Sequence, residues 1–109
     1  MKNLQQKVEK FVKEYNLKHK PEITVLDLVS EIGEVAKEIL EMSDYGRRKP
    51  KYKKELKTEL GDVLYSLINL ANYYDIGLEE ALEIALTKYQ KRLKNKGSAG
   101  SKSFNKNRV

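Results

Sequence analysis

The chain has 109 residues, no cysteine and a formal net charge of +6. This length suits one domain, and the lack of cysteine excludes disulfides, iron–sulfur clusters and thiolate zinc sites. No stretch approaches the roughly 20 apolar residues of a membrane helix, and the charged residues 1–20 do not resemble a secretory signal. We therefore expect a soluble, cytoplasmic protein.

Apolar side chains recur at helical spacing along most of the chain, which predicts four amphipathic helices. The predicted helices cover about residues 3–18, 24–43, 51–74 and 78–94. No segment shows the period-two alternation of a half-buried strand, so the expected fold is an all-α four-helix bundle.

Prolines and glycines mark the expected helix boundaries. Pro21 is expected to end the first helix, and Thr24 is expected to cap the second. Gly46 and Pro50 indicate a short basic loop before the third helix. Gly77 is expected to adopt positive φ in the turn before the fourth.

The end of the chain differs in composition from the rest. The last 22 residues hold eight basic side chains and no acidic ones, and residues 97–109 are also rich in Gly and Ser. Such a segment has little apolar surface to bury. We therefore predict a single helical domain over residues 1–96 and a flexible basic tail over 97–109.

A short repeat places acidic residues at matching positions of the second and third helices. Residues 31–40 (EIGEVAKEIL) and 59–68 (ELGDVLYSLI) share the order acid, aliphatic, Gly, acid, Val. The acidic positions are Glu31, Glu34, Glu59 and Asp62. At ~100° per residue, each acidic pair lies beside the apolar stripe of its helix. If the two helices pack antiparallel through these stripes, the four carboxylates share one small volume.

Such a cluster predicts a metal site. Two unit charges 4 Å apart repel by ~4 kcal/mol at an effective dielectric constant of 20, and a divalent cation relieves this repulsion. Oxygen ligands suit Mg²⁺, with Mn²⁺ as the second possibility. The alternative is a solvated polar face, which the matched position of both pairs disfavours. Glu38 extends the same face and is a candidate extra ligand.

The repeat also places Gly33 and Gly61 in the middle of helices, where Gly costs ~1 kcal/mol relative to Ala. We interpret both as positions where another helix packs closely. Close approach of a substrate to the backbone is the alternative.

The acidic pattern resembles the MazG-like nucleotide pyrophosphohydrolases, relatives of the all-α dimeric dUTPases, over about residues 26–93. Their E-x-x-E and E-x-x-D motifs match Glu31 to Glu34 and Glu59 to Asp62. The resemblance implies a bundle completed as a homodimer or homotetramer. It also implies metal-dependent cleavage of a nucleoside triphosphate into monophosphate and pyrophosphate. By the same resemblance, Glu31, and next Glu34, is the base that accepts a proton from water, although the sequence itself does not separate the two.

The same resemblance suggests residues that bind substrate. Lys88 and Arg92 match a K-(F/Y)-x-x-R element that holds phosphates, although Leu86 stands where relatives often have Asn. The alternative is that both cations complement the negative end of the fourth helix. Asn69 lies further along the face that carries Asp62 and is a candidate contact for sugar or base, or an ordinary polar surface residue.

The sequence also allows a different function. The basic loop and tail suit a helical nucleic-acid-binding or regulatory protein without catalytic activity, because phosphate charge supplies non-specific affinity. The acidic cluster would repel a nucleic-acid backbone, so this alternative is disfavoured. The pattern leaves open the base and sugar specificity and the number of metal ions.

Overall fold

The computed structural model describes residues 1–96, which form four helices. These are α1 (Lys2–Glu14), α2 (Pro21–Met42), α3 (Glu55–Tyr73) and α4 (Leu78–Lys96). No strand occurs in the described residues, so the predicted all-α class is confirmed. The predicted tail, residues 97–109, lies outside the described part of the chain.

The second helix begins earlier than its sequence suggested. Pro21 is its first residue, a position where the missing N–H of proline costs no intrahelical hydrogen bond. The prediction that Thr24 caps this helix was wrong, because Lys20 occupies the cap position. Thr24 is buried instead, and its hydroxyl donates to the Lys20 carbonyl oxygen at 3.3 Å.

The first three helices end in the same backbone motif. Asn16, Asp44 and Asp75 follow their helices with φ of 53°, 48° and 55°. In each case the next amide donates to a carbonyl five residues earlier, as Ile76 does to Ala71 at 2.9 Å. Asn and Asp tolerate this left-handed conformation better than most residues. Asp75 therefore adopts the positive φ that we had expected of Gly77.

The connection between α2 and α3, residues 43–54, is longer than predicted and is tightly held at its base. Its residues 44–46 are all left-handed, with Gly46 at φ 86°. The Lys51 amide donates to the Met42 carbonyl oxygen at 2.8 Å. This bond returns the chain to the end of α2 before α3 begins.

Helix α3 packs against both α1 and α2 within a compact unit, Lys2–Ile76. Ile68 and Ala71 on α3 are its buried hydrophobic residues, exposed by 2% and 5%. A pair of amides also joins α1 to α3: Gln5 Nε2 donates to Asn72 Oδ1, and Asn72 Nδ2 donates to the Gln5 carbonyl oxygen, both at 3.0 Å. Helix α4 belongs to a second compact unit.

Much of the apolar surface that was predicted to face inward is exposed in the single chain. Val29 and Ile32 on α2 are 62% and 52% exposed, and Leu60 on α3 is 52% exposed. Large apolar patches of this kind commonly mark interaction sites. Over residues 1–96, no helix combines the length and apolar character needed to cross a membrane.

Shortening Ile68 should destabilise the unit formed by α1, α2 and α3. Removing buried methyl groups costs about 0.5–1.5 kcal/mol for Ile→Val and about 2–5 kcal/mol for Ile→Ala. We expect this graded loss for Ile68→Val and Ile68→Ala in urea denaturation. Ile76→Ala, at a position 48% exposed, is the matched control. Equal losses at the two positions would contradict the assignment of Ile68 to the core.

Candidate metal centre

Helices α2 and α3 run antiparallel, so acidic residues distant in sequence meet across their seam. Near the connecting loop, the Lys53 ammonium lies 3.0 Å from the Glu41 carboxylate. Further along, carboxylate oxygens of Glu31, Glu59 and Asp62 all lie within 4.8 Å of one another. We call these three residues the acid cluster. Glu31 and Glu59 are half-buried, whereas Asp62 is exposed.

Burial and neighbouring carboxylates disfavour the charged form of Glu59. Its pKa is raised above the ordinary value, first by burial and then by the charges of Asp62, Glu34 and Glu31. When the pKa of a carboxyl group is higher in the folded protein than in the unfolded chain, the protein loses stability as pH rises from the lower of these two pKa values through the higher. Ionised Glu59 therefore destabilises the metal-free protein at neutral pH.

Glu34 is placed differently from the other three predicted ligands. It is exposed, and it does not belong to the group whose oxygens lie within 4.8 Å. Its charge still contributes to the raised pKa of Glu59. Glu34 thus lies near enough to affect the pKa of Glu59, but it is not one of the three residues of the acid cluster.

A buried carboxylate with a fixed cation lies toward the loop end of the same seam. Glu38 is only 9% exposed, and its Oε2 lies 2.9 Å from Lys53 Nζ. The carboxylates of Glu38 and then Glu41 raise the pKa of Lys53 above its ordinary value. The contact with Glu38 is an ion pair, since its buried Oε2 accepts no hydrogen bond. The bond from Lys53 lowers the pKa of Glu41. The sequence identified Glu38 as a candidate ligand but gave no sign of this partner.

A cavity of about 400 Å³ lies between α1, the start of α2 and α3. Such a volume suits a small-molecule ligand. Its lining includes Tyr65, Ser66, Asn69 and Tyr73 from α3. Val12 of α1, His19 of the α1–α2 connection and Asp27 of α2 also line it. Ser66 follows Asp62 by one helical turn, so this wall of the cavity continues the face that carries the acid cluster. Asn69 was predicted as a substrate contact, but the cavity was not foreseen.

Lys88 and Arg92 lie one turn apart on α4, and together they line a shallow depression on that helix. The Lys88 ammonium is 5.2 Å from the centre of the Tyr89 ring. Residues four apart on a helix share one face, so both cations can act on one ligand.

The two repeat glycines do not pack closely against another helix of the described chain. Apart from its chain neighbours and the backbone of its own helix, a Cβ added to Gly33 or Gly61 would meet no heavy atom within 4 Å. Our interpretation of close helix packing is therefore not supported within the chain. Both positions leave open space beside the backbone.

Residues 19–96 match the sequence profile of the MazG nucleotide pyrophosphohydrolase domain. The chain belongs to this family. It is 33% identical over 100 residues to the uncharacterized protein YpjD of Bacillus subtilis strain 168, with 88% of each chain covered. The crystal structure of YpjD, described as a candidate pyrophosphatase, is similar with a TM-score of 0.69 and 36% identity. That similarity covers 84% of this chain and 94% of YpjD. The family resemblance found in the sequence is thus confirmed.

The carboxylate oxygens of this MazG domain fit a hard divalent cation. Oxygens of all three carboxylates lie within 4.8 Å of one another, and Glu31, Glu59 and Asp62 would together hold such a cation. The group contains no histidine or cysteine, and all-oxygen sites favour Mg²⁺ or Mn²⁺ over zinc.

Replacing Glu59 by its amide should have opposite effects with and without metal. Glu59→Gln should raise the melting temperature of the metal-free MazG domain, because it removes a carboxylate that is unfavourable when ionised. It should also reduce the further rise caused by Mg²⁺ or Mn²⁺. For comparison, any ligand that binds only the folded state at a hundredfold excess over Kd stabilises by ~2.7 kcal/mol.

These melting curves should be recorded by calorimetry at constant ionic strength, because salt alone screens the repulsion. Glu14→Gln, at an exposed position on α1, is the matched control and should keep the full metal-dependent rise. An equal rise in Glu59→Gln and the unmodified protein would show that the carboxylates form a solvated face.

Proposed function

We propose that this MazG domain is a metal-dependent pyrophosphohydrolase that cleaves a nucleoside triphosphate between its α and β phosphates. The products are a nucleoside monophosphate and pyrophosphate. The observation that carries this proposal is the meeting of Glu31, Glu59 and Asp62 within 4.8 Å across two helices. The raised pKa of Glu59 supports this proposal, because carboxylates that repel one another are commonly found at functional sites, where a bound cation would relieve the repulsion.

The acid cluster would hold Mg²⁺ or Mn²⁺, which when bound neutralises phosphate charge and activates water. A nearby carboxylate that does not ligate the metal accepts the proton of the attacking water. The water oxygen forms a bond to the α phosphorus, and the bond to the β-phosphate oxygen breaks. Glu31 and Glu34 remain the two candidates for this base. Geometry favours Glu34, since it lies outside the group of three.

Other side chains would hold the remaining parts of the nucleotide. We assign Lys88 and Arg92 to the leaving pyrophosphate, because their positions one turn apart suit neighbouring phosphate oxygens. The cavity beside α3 is the proposed place for the nucleoside. Asn69 can form hydrogen bonds with sugar or base there, and Tyr65 offers an aromatic surface for stacking.

A panel of nucleoside triphosphates with Mg²⁺ or Mn²⁺ tests the activity directly. We expect at least one substrate to yield monophosphate and pyrophosphate in equal amounts. Asp62→Asn should lower this rate at least about a hundredfold, as losses of a major charge-stabilising group do, and its helical circular dichroism should be unchanged. Full activity in folded Asp62→Asn would defeat the metal-site assignment. Salt-dependent binding of DNA without hydrolysis would favour the nucleic-acid-binding alternative.

We also propose that the active form is a homodimer or homotetramer. Ile68 and Ala71 are the buried hydrophobic residues of the described chain, whereas large apolar side chains on α2 and α3 remain exposed. A small domain with so little buried apolar surface is marginal alone. A second copy that covers α2 and α3 would supply the missing burial.

The oligomeric state can be measured by light scattering at micromolar concentration. We expect a mass at least twice the 12.7 kDa of one chain. Val29→Lys, at an exposed apolar position on α2, should shift the population towards monomer and lower the melting temperature. A folded monomer in the unmodified protein would contradict this proposal.

A further inference from the structure

Lys53 is the cation held at the acidic seam between α2 and α3. Its Nζ lies 2.9 Å from Glu38 and 3.0 Å from Glu41. An ammonium group has three N–H donors, and one of them donates to Glu41 Oε1 at 3.0 Å. The contact with Glu38 Oε2 is an ion pair at 2.9 Å without hydrogen-bond geometry. Within the described residues, the other two donors form no hydrogen bond. The Lys53 side chain remains 34% exposed, so an external ligand can reach it.

The ammonium lies toward the loop end of the acid cluster. Glu38, its buried partner, follows Glu34 by one turn and Glu31 by two turns along α2. The charge of Glu38 also contributes to the raised pKa of Glu59, which places Glu38 within electrostatic range of the cluster. Lys53 is therefore a positive charge on the same seam as the place proposed for the metal, paired with a residue two helical turns from Glu31.

A substrate with several phosphates needs such a charge. The carboxylates that hold a metal also repel the phosphates that the metal must contact, and a cation on the rim of the seam offsets this repulsion. Two carboxylates already hold the ammonium in place, so little side-chain entropy is left to lose on binding. The two carboxylates keep Lys53 protonated.

We propose that Lys53 is a substrate-binding residue that donates one of its other N–H groups to a phosphate oxygen of the nucleotide held at the acid cluster. This inference rests on the pyrophosphohydrolase function proposed above. A phosphate-binding Lys53 would differ from a lysine in a purely structural ion pair in its effect on ligand binding. Lys53 should favour phosphate binding but oppose metal binding in the absence of phosphate, because it is a positive charge near the cation.

The test uses inorganic pyrophosphate, which avoids the unknown base specificity. Calorimetric titrations should measure Mn²⁺ alone, and then pyrophosphate in the presence of excess Mn²⁺. In Lys53→Met, we expect Mn²⁺ to bind at least as tightly as in the unmodified protein. Pyrophosphate should bind about tenfold more weakly, as expected for loss of one charge-assisted hydrogen bond. Lys54→Met, the exposed neighbour, should change either affinity less than about twofold.

Lys53→Met alone leaves Glu38 buried without its cation, which can destabilise the fold. The double variant Lys53→Met, Glu38→Gln removes one charge of each sign and leaves the net charge unchanged. It should bind Mn²⁺ within about twofold of the unmodified protein and still bind pyrophosphate about tenfold more weakly. This variant separates the loss of the N–H donor from a change of net charge.

Three outcomes would overturn the inference, and they can be told apart. Unchanged pyrophosphate affinity in the double variant, with nucleotide hydrolysis present in the unmodified protein, would defeat the role of Lys53 alone. A parallel loss of Mn²⁺ and pyrophosphate binding with reduced helicity would make Lys53 purely structural. If the unmodified protein neither hydrolysed nucleotides nor bound pyrophosphate with Mn²⁺, the proposed function would fail together with the inference.

Discussion

Repulsion between carboxylates is the constraint on which the arrangement of α2 and α3 depends. The apolar stripes of these helices bring them together, and the same packing forces Glu31 against Glu59 and Asp62. Half-burial of Glu59 makes its charge less favourable still. Contacts elsewhere in the unit, including the buried side chain of Ile68, must offset this repulsion. The seam therefore retains an unfavourable interaction that a bound cation would turn into a favourable one.

Charge is distributed along the seam in two distinct regions. At the loop end, Glu38 is buried but has Lys53 as a partner at 2.9 Å, so its charge is neutralised locally. In the acid cluster, the charges that raise the pKa of Glu59 are those of other carboxylates. A cluster neutralised throughout by lysines would bind a metal weakly. A cluster without any cation would repel a polyphosphate. The combination suits a ligand that brings metal and phosphate together.

The sequence predicted the acid cluster because two simple rules were sufficient. Helical periodicity placed each acidic pair beside an apolar stripe, and antiparallel packing then brought Glu31 near Glu59 and Asp62. It did not separate Glu34 from this group, because a difference of a few ångströms depends on side-chain rotamers. The partner of Glu38 was also inaccessible, since any of several lysines or arginines in the basic loop could have reached it.

The sequence did not predict the exact helix boundaries or the cavity, for related reasons. Thr24 has the chemistry of a helix cap, but the preset φ of Pro21 starts the helix earlier. Asp75 adopts the left-handed conformation because it directly follows the last turn of α3, whereas Gly77 stands too far along the chain. The cavity depends on how α1 lies against α3, which long-range contacts such as that between Gln5 and Asn72 determine. Periodicity within each helix carries no information about such an offset.

The hydrogen bond at the base of the α2–α3 connection affects which parts of that connection can vary in sequence. The bond between the Lys51 amide and the Met42 carbonyl oxygen returns the chain to α2 two residues before Lys53. The exposed tip, residues 47–49, lies in the loop beyond this bond. Exposed loop tips tolerate insertions best. The length of this tip can therefore drift during evolution without altering the seam. The same tip is a suitable point of attachment for a fluorescent label or a fused peptide.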